Sequence, residues 1–445
     1  MKTVERYLKQ ISEPMHEPAN SLRWIESRNA QVPKSATQLH PLPKGEGRGE
    51  GEGDVTNPAP QIRTRFSLRK SISAITLFKQ ISLVFGLSFA FSASAQSPFL
   101  PGHPAPEIDA LFQQTNGWIG GDGAYSVALS SERTLWLFSD TWIGSVRNGK
   151  RTNTTMVNNT LGIQDGQGAD AKMQFIIRHN ADSKPVAFLT PENKRGWFWL
   201  QAGVYADKQL FLFLTQIEKT DSPGVFGFRQ IGQSIGIVTN PLAPPLEWHI
   251  EQRPLPCAEF TSTHRQTYGA ATLVDGGYVY IYGIDEDIHP GNLARYLTVA
   301  RVPTNSVADF SAWRFYVNPQ EWGADYRQAD RTVDAMATEY SVSFLPKLKQ
   351  YALVYTDHGL SPNIQVRTAR TPWGEWYSPS IVYRCPEMSR DKKLFCYAAK
   401  AHPNQGADNE LIISYVVNSY DVAQVLSDAS LYWPRFVRVP LESVP

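Results

Sequence analysis

Short hydrophobic runs rich in aromatic and β-branched residues recur along the chain from residue 96 onward. Five of them share one pattern, a hydrophobic strand that ends in small or polar residues: 135–141 (LWLFSDT), 210–216 (LFLFLTQ), 279–285 (VYIYGID), 351–357 (YALVYTD) and 411–417 (LIISYVV). Their first residues are separated by 75, 69, 72 and 60 positions, so the sequence repeats with a period of roughly 70 residues. Five such units account for residues 96–445.

Other strands flank these five segments within each unit. Residues 270–274 are joined to residues 279–285 through Asp275-Gly276, a strong signal for a tight hairpin. Four antiparallel strands per unit are typical of a propeller blade. We therefore predict an all-β fold, a five-bladed β-propeller of about 70 residues per blade, with a solenoid stack of the same units as the alternative. No long apolar repeat of 3.6 residues occurs, so helices should be few and short.

The first 95 residues follow a different pattern. Residues 63–95 combine basic positions, an apolar run at 81–91 (ISLVFGLSFAF) and an Ala93-Ser94-Ala95 cleavage motif, as in a signal peptide. The apolar run is about half the ~20 residues that span a membrane, so we expect cleavage, export to the periplasm or the medium, and no stable membrane insertion. Residues 1–62 include a charged, glycine-rich stretch. They are either an over-extended gene start or a disordered extension.

Composition narrows the choice of partners. Lys plus Arg number 43 and Asp plus Glu 42, for a net charge of +1, so we expect no nucleic-acid partner. Three cysteines are too few for a disulfide scaffold and lack the spacing of a zinc site. Cys385 and Cys396 are either a disulfide worth about 3 kcal/mol or two buried thiols.

The motifs carry a family resemblance. Residues 117–126 (GWIGGDGAYS), followed by 135–141, resemble the opening of a bacterial five-bladed propeller family of formerly unknown function that includes endo-D-arabinofuranases. Further similar phrases are 197–199 (WFW), 268–271 (YGAA), 278–283 (YVYIYG), 337–342 (ATEYSV), 399–403 (AKAHP) and 413–418 (ISYVVN). The resemblance implies distant kinship with other five-bladed furanosidases and arabinanases, which place acidic residues around the mouth of the central channel. It therefore implies an exported glycoside hydrolase that cuts a furanose-containing polysaccharide or oligosaccharide such as D-arabinan, without a required cofactor.

Candidate catalytic residues follow from the resemblance and from strand pairing. Asp122 and Asp140 match the family's acidic pair in the first blade, and Glu339 is a third candidate by its position in the fourth. Glycosidic cleavage generally needs one carboxylic acid and one carboxylate. Asp122 precedes one strand and Asp140 ends the next, so antiparallel pairing should bring both to one rim. The alternative is that both aspartates only cap turns. Residues 200–203 (LQAG) depart from the acidic glycine turn of relatives, so a carboxylate from the second blade is not expected.

Aromatic residues and a histidine are candidates for binding the sugar. Trp118, Trp142, Trp199 and Tyr268 are candidates for stacking on sugar rings, or else belong to the core. His402 is a candidate for contacting sugar hydroxyls or a channel cation, or else is a hydrogen-bonded structural residue. No metal is assigned to the catalytic residues, and the acidic run 285–287 is either a Ca²⁺ site or a solvated loop.

Two motifs of other chemistries are incomplete. Residues 232–236 fit Gly-x-Ser-x-Gly, but a β-like run follows where the nucleophile elbow requires a helix. Residues 144–150 have the P-loop spacing, but Arg151 stands where a Ser or Thr would hold Mg²⁺. The functional alternatives to the hydrolase are a non-catalytic carbohydrate-binding propeller and a structural propeller of the envelope.

Overall fold

Antiparallel strands dominate the structure, a computed structural model that describes residues 97–289 and 292–442. In this part of the chain the α-helices are α1 (Pro106–Asp109) and α2 (Val422–Ser427). Single 3₁₀ turns lie at Gly168–Asp170, Pro245–Glu247, Phe310–Ala312, Tyr326–Gln328, Pro386–Ser389 and Pro403–Gln405. The prediction of an all-β fold with few, short helices is confirmed. The predicted extension (1–62) and signal peptide (63–95) lie outside the described residues.

Five antiparallel sheets follow one another along the chain. The first contains β3 (Tyr125–Ala128), β4 (Arg133–Phe138), β7 (Thr160–Asp165) and β8 (Lys172–Ile176). The second contains β11 (Trp197–Ala206), β12 (Gln209–Lys219), β13 (Phe228–Val238) and β14 (Ile250–Pro254). The third contains β15 (Glu259–Phe260), β16 (His264–Asp275), β17 (Tyr278–His289), β18 (Asn292–Pro303), β19 (Arg314–Asn318) and β20 (Glu321–Gly323).

The last two sheets complete this series. The fourth contains β21 (Tyr340–Leu345), β22 (Gln350–Thr356), β23 (Asn363–Ala369) and β24 (Ser380–Arg384). The fifth contains β25 (Leu394–Ala401), β26 (Glu410–Ser419), β27 (Pro434–Pro440) and the N-terminal β1 (His103–Pro104). Two smaller sheets lie beside the first, one of β2 (Asn116–Gly121), β5 (Thr141–Arg147) and β6 (Lys150–Val157), the other of β9 (Arg178–His179) and β10 (Pro185–Val186).

The five repeated hydrophobic segments occupy equivalent places in these sheets. Three of them lie within β12, β17 and β26, and the other two begin in β4 and β22; each of these is the second long strand of its sheet along the chain. Most residues of β12 and β26 are buried whichever face they point to. Each sheet is therefore covered on both faces, which explains why these strands are continuous hydrophobic runs.

The sheets form a closed ring. One hydrophobic cluster fills each interface between consecutive sheets, and a fifth cluster packs the last sheet against the first. Representative members from the two sheets at each interface are Leu137 and Leu212, Phe213 and Ile281, Tyr282 and Leu353, Val354 and Ile413, and Trp136 and Phe436. Strand β1 pairs with β27, so the beginning and the end of the described chain share one sheet and cover its edge.

The first long strand of each sheet faces the middle of the ring. Parts of β3, β11, β16, β21 and β25, with the turn after β25, line a central cavity of about 460 Å³. Strands β11, β16 and β25 each carry a β-bulge partway along. In each of these strands, residues before the bulge line a second cavity, and residues after the bulge line the central cavity. The two cavities therefore lie toward opposite ends of the same strands.

A disulfide reinforces the fifth sheet. Cys385 and Cys396 are bonded, with their Cα atoms 6.6 Å apart, and Cys257 is a buried free thiol. The bond joins the turn after β24 to the start of β25. No helix among the described residues has the length and apolarity that a membrane crossing requires.

Candidate active site

The cavity at the N-terminal ends of the inner strands holds the predicted carboxylates, and we call it the acidic basin. It encloses about 400 Å³. Asp122, Asp140 and Glu339 all border it. Its wall also includes Trp142, Met156, Trp199, Gln201, Phe226, Phe228, Arg265, Arg295, Phe395, Tyr397, Asn418 and Tyr432.

A tight backbone crossing brings Asp122 and Asp140 to one rim. The Asp122 amide donates to the Asp140 carbonyl at 3.3 Å, and the Ser139 amide donates to the Asp122 carbonyl at 3.1 Å. The chain then turns through Gly123 (φ +79°) and Ala124 (φ +49°), both in the left-handed region, before β3 begins. A left-handed alanine is strained, and such strain concentrates at functional sites.

The Asp122 carboxyl is enclosed by two phenols. Its Oδ2 accepts hydrogen bonds from the hydroxyls of Tyr397 at 2.8 Å and Tyr432 at 3.1 Å. Its Oδ1 is buried and has no hydrogen-bond partner among the described residues. Burial raises the pKa of Asp122 well above its usual value, and repulsion from Asp140 and Glu339 raises it further. This carboxyl therefore tends to hold a proton.

Asp140 has different neighbours. Its Oδ1 accepts one hydrogen bond from the Trp199 indole N–H at 2.9 Å and another from the Asn158 amide at 3.0 Å. Burial raises the pKa of Asp140 to about 6, while these two donors act in the opposite direction by stabilising the carboxylate. Asp140 is thus the member of the pair that ionises first as the pH rises.

Glu339, which borders the basin, forms an ion pair with a buried lysine. Its Oε1 lies 3.1 Å from Nζ of Lys400, whose side chain is 1% exposed. The ammonium also donates to the Ala398 carbonyl at 2.9 Å and lies 4.3 Å from the centre of the Tyr125 ring. Burial lowers the pKa of Lys400, and the negative charge of Glu339 opposes that effect. The pair keeps a carboxylate beside the two aspartates.

A buried arginine positions the second phenol of the Asp122 pocket. Arg151 donates to the carbonyls of Ile119 at 3.1 Å, Val425 at 2.7 Å and Leu431 at 2.5 Å, which ties α2 and the segment before Tyr432 to the small sheet of β2, β5 and β6. A Cβ at Gly120 would lie 2.3 Å from the Tyr432 carbonyl oxygen, so this close approach requires glycine.

An aromatic wall closes one side of the basin. Phe226, in the loop between β12 and β13, is 42% exposed and lies 5.9 Å from Phe395 and 6.0 Å from Tyr420, ring centre to ring centre. Trp199 and Phe228 make an edge-to-face contact at 4.6 Å. The second sheet therefore reaches residues of the fifth along the basin, in a form suited to packing on sugar rings.

Two predicted sugar contacts belong to the core instead. Trp118 is 1% exposed and stacks on Phe175 at 4.3 Å, and Tyr268 is fully buried beside Phe315. Neither borders the acidic basin. The sequence prediction was wrong for these two residues because strands covered on both faces bury most of their aromatic side chains. Trp142 and Trp199 do line the basin.

His402 lies at the other end of the ring. It borders the central cavity, is 1% exposed, and its Nδ1 and Nε2 lie 2.7 Å from the hydroxyls of Ser126 and Ser414. Burial lowers the pKa of His402 to about 3, so the ring is neutral. The structural interpretation holds for this histidine, and its assignment to the substrate site was wrong.

The acidic run 285–287 is part of β17, so the expectation of a solvated loop was wrong. Alternation along the strand sends Glu286 toward the basin, whereas Asp285 and Asp287 both bind Arg331 on the other face. Oxygen atoms of Asp285 and Asp287 and a nitrogen of His264 lie within 4.8 Å of one another, close enough to bind a cation. The guanidinium of Arg331 already neutralises these carboxylates, so a Ca²⁺ ion would compete with it.

Several residues that contact the three carboxylates were not predicted from sequence. Tyr397 and Lys400 lie in β25, Asn158 follows β6 and Tyr432 precedes β27, and each contacts one of the carboxylates. A lysine within an otherwise apolar run, two residues before His402, was the one available signal, since an unpaired buried ammonium is costly.

Comparisons with known proteins agree with the fold. The profile of the family Domain of unknown function (DUF5005) matches residues 106–441. A crystal structure designated a "putative hydrolase" from Bacteroides ovatus ATCC 8483 superposes with a TM-score of 0.61 at 17% identity, covering 76% of this chain and 90% of that one. That similarity shows a shared fold.

Two further structures are more distant. A thermostable family-43 glycoside hydrolase has a TM-score of 0.41 at 13% identity, covering 74% of this chain and 91% of that one. A GH43_1 enzyme from Xanthomonas citri complexed with xylotriose has a TM-score of 0.39 at 12% identity, covering 76% and 89%. A search among curated proteins found no match.

Proposed function

The chain belongs to the DUF5005 family, and we propose that it is a glycoside hydrolase whose essential carboxyl groups are Asp122 and Asp140. One observation carries the proposal: two buried carboxyls meet in one basin with surroundings that push their proton affinities apart. Phenols and an unpartnered oxygen surround Asp122, whereas two N–H donors hold Asp140. Pairs of this kind are how enzymes keep an acid and a base in one site.

The two aspartates divide the chemistry between them. Asp122, with the higher pKa, keeps the proton that the leaving glycosidic oxygen must receive. Asp140 is ionised above about pH 6. Its carboxylate acts either as a base that activates a water molecule or as a nucleophile that attacks the sugar. Glu339, held by Lys400, places a third carboxylate near the positive charge that develops on the sugar ring.

The ring of sheets supports a finer assignment of the fold. We propose that the five sheets are the blades of a five-bladed β-propeller, with the short edge strands of the third sheet as additions to a four-stranded blade. The five interfaces between sheets and the pairing of β1 with β27 support this assignment. A basin at one end of such a ring collects residues that lie far apart in the sequence.

The substrate we propose is a furanose-containing polysaccharide such as D-arabinan. The motif resemblance across residues 117–418 supports this choice, and the aromatic wall of Trp199, Phe226 and Phe228 offers apolar faces for sugar rings. We also propose that the protein is exported. The disulfide between Cys385 and Cys396 supports an oxidising compartment, because such bonds rarely persist in the cytosol.

A glycan screen tests the proposal. The protein from residue 96 onward is incubated with a panel of arabinans and other furanose-containing polysaccharides, and new reducing ends are measured with and without EDTA. We expect release from at least one polysaccharide, unchanged by EDTA, and loss of that release in Asp122→Asn. Saturable binding without any new reducing ends would instead identify a carbohydrate-binding protein and exclude the hydrolase.

A further inference from the structure

A row of three charged side chains crosses the third sheet beside the basin. Antiparallel register places Arg265 opposite Glu286 on the neighbouring strand, and Glu286 opposite Arg295 on the next. Directly opposed residues share one face of a sheet, so all three side chains point the same way. Glu286 is 2% exposed and accepts from Nε of Arg265 at 2.8 Å and Nε of Arg295 at 2.6 Å.

The row leaves most of its donors unused. Each guanidinium has five N–H groups, and Glu286 engages one from each arginine. Among the described residues, no hydrogen-bond acceptor lies against the Nη atoms of either arginine, and both side chains border the acidic basin. Two cations and one anion also leave the row with a net charge of +1. The basin therefore has a positive side as well as its acidic rim.

The arginines do not act as counterions of the catalytic pair. Among the described residues, the carboxylate that pairs with either arginine is that of Glu286, whereas Asp140 accepts hydrogen bonds from Trp199 and Asn158. Space is also kept open beside the arginines. A Cβ at Gly359, whose φ is +86°, would lie 3.2 Å from Nη1 of Arg295. Any larger residue there would crowd the free side of that guanidinium.

We propose that Arg265 and Arg295 form an anion-binding subsite, so that the natural substrate carries a carboxylate or phosphate group near the bond that is cut. This proposal rests on the proposed function, because it places the subsite in the same basin as Asp122 and Asp140. The planar guanidinium group recognises carboxylates and phosphates through paired N–H hydrogen bonds. Glu286 holds both arginine side chains in place before a ligand binds. A wholly neutral glycan would leave this half-buried, positive row without an anionic partner.

Matched oligosaccharides separate the charge of the ligand from its shape. Three versions of one oligosaccharide backbone are compared: neutral, uronate-bearing and phosphate-bearing. Binding is measured by calorimetry on Asp122→Asn, which prevents turnover, and hydrolysis is measured separately on the wild type. We expect at least one anionic version to bind about tenfold or more tightly than the neutral parent, as charge-assisted bonds predict.

The arginine variants assign that preference to the row. Arg265→Gln and Arg295→Gln, each combined with Asp122→Asn, are expected to lose about tenfold in affinity for the anionic version and less than twofold for the neutral one. Each variant leaves Glu286 one arginine partner, which favours folding. Arg133→Gln is the matched control, since it removes the same charge from an exposed ion pair with Asp165.

Each outcome supports or overturns the subsite. Equal affinity for neutral and anionic versions, or equal losses for both in the variants, overturns it. If a variant fails to fold, competition by sulfate is measured instead. Sulfate should displace the anionic oligosaccharide from Asp122→Asn more strongly than chloride at equal ionic strength does. Equal displacement by the two salts overturns the proposal. Anion-selective binding without hydrolysis by the wild type would retain the subsite and exclude the hydrolase. Hydrolysis by the wild type combined with equal affinity for the neutral and anionic versions would retain the hydrolase and exclude the subsite.

Discussion

The acidic basin and the central cavity are built from opposite ends of the same inner strands, yet the hydrogen-bonding of His402 in one and Asp122 in the other differs. In the central cavity, both nitrogens of His402 are paired with serine hydroxyls. In the basin, Asp122 keeps a buried oxygen without a partner and stands beside a second carboxyl that raises its pKa. Among the described residues, carboxyl groups border only the basin of these two cavities, and the raised pKa values of Asp122 and Asp140 mark it as the candidate functional end.

The backbone shows the same contrast. Ala124 and Ala398 adopt left-handed conformations beside Asp122 and Tyr397, respectively, while the residues of β3 that face the central cavity are regular strand. The bulge in β25 falls between Tyr397 and Lys400, where the strand passes from one cavity to the other. These left-handed residues and the bulge thus aim side chains into the basin.

The largest expected effect comes from removing either of the two basin aspartates, Asp122 or Asp140. We expect Asp122→Asn and Asp140→Asn each to lower turnover by about 10³-fold or more, because each removes one half of the acid and base pair. Measurement of reducing ends over time on an identified substrate checks this. Asp165→Asn, on the surface of the first sheet, is the control and should keep full turnover.

Stability should change in the opposite direction for Asp140→Asn. A carboxyl whose pKa is raised in the folded state binds protons more tightly there, so its stabilising contribution is present at low pH and lost as the pH rises from about 4 to about 6. The variant should therefore match the wild type near pH 4 and exceed its free energy of unfolding by about 1–2 kcal/mol at pH 7. Urea titrations across this range would contradict the assignment if the wild type were equally stable at both ends.

The third prediction addresses the central cavity. His402→Ala leaves two serine hydroxyls without their partner and opens a cavity, so we expect a loss of about 2–3 kcal/mol in the free energy of unfolding. KM and kcat at a temperature where the variant is folded should stay within twofold of the wild type. A much larger loss of kcat would show that the two ends of the ring are functionally connected.

The fourth prediction tests how the pKa of Asp140 is set. Trp199→Phe keeps an aromatic wall but removes the N–H that stabilises the carboxylate, so the pKa of Asp140 should rise above its value of about 6. The acidic limb of the pH profile of kcat should then move upward by roughly one pH unit, a tenfold loss at pH 5 with little change at pH 8. Trp142→Phe, which changes the same wall without touching either aspartate's hydrogen bonds, should leave that limb in place.

The smallest effect concerns backbone strain. Ala124→Gly relieves a left-handed alanine and should raise the free energy of unfolding by about 0.5–1 kcal/mol. Ala128→Gly, in the extended part of β3, should lower it by a similar amount because glycine only adds unfolded-state entropy there. Equal effects of both substitutions in thermal melts would contradict the proposed location of the strain.

The sequence was most informative about what depends on local periodicity. Five hydrophobic segments at roughly equal spacing predicted strands in five similar units, and these segments map to equivalent positions in five consecutive sheets. The hairpin rule also placed Asp122 and Asp140 on one rim, because the position of a strand end follows from antiparallel pairing. Aromatic residues were harder to place. Trp118 and Trp199 look alike in sequence, and only the packing of neighbouring sheets decides that one is core and the other borders the basin.

By itself, then, the amino-acid sequence determined the strands, their repeat and the first acidic pair, since these depend on the alternation of side chains and on turns of a few residues. The tertiary structure decided which groups face each other after the ring closes. Tyr397 and Tyr432 reach Asp122 from roughly three hundred residues away in sequence. Lys400 meets Glu339, and Arg265 and Arg295 meet across Glu286, because register and closure bring them together. Proton affinity is set by such neighbours, so the chemistry of the basin could be read only from the folded chain.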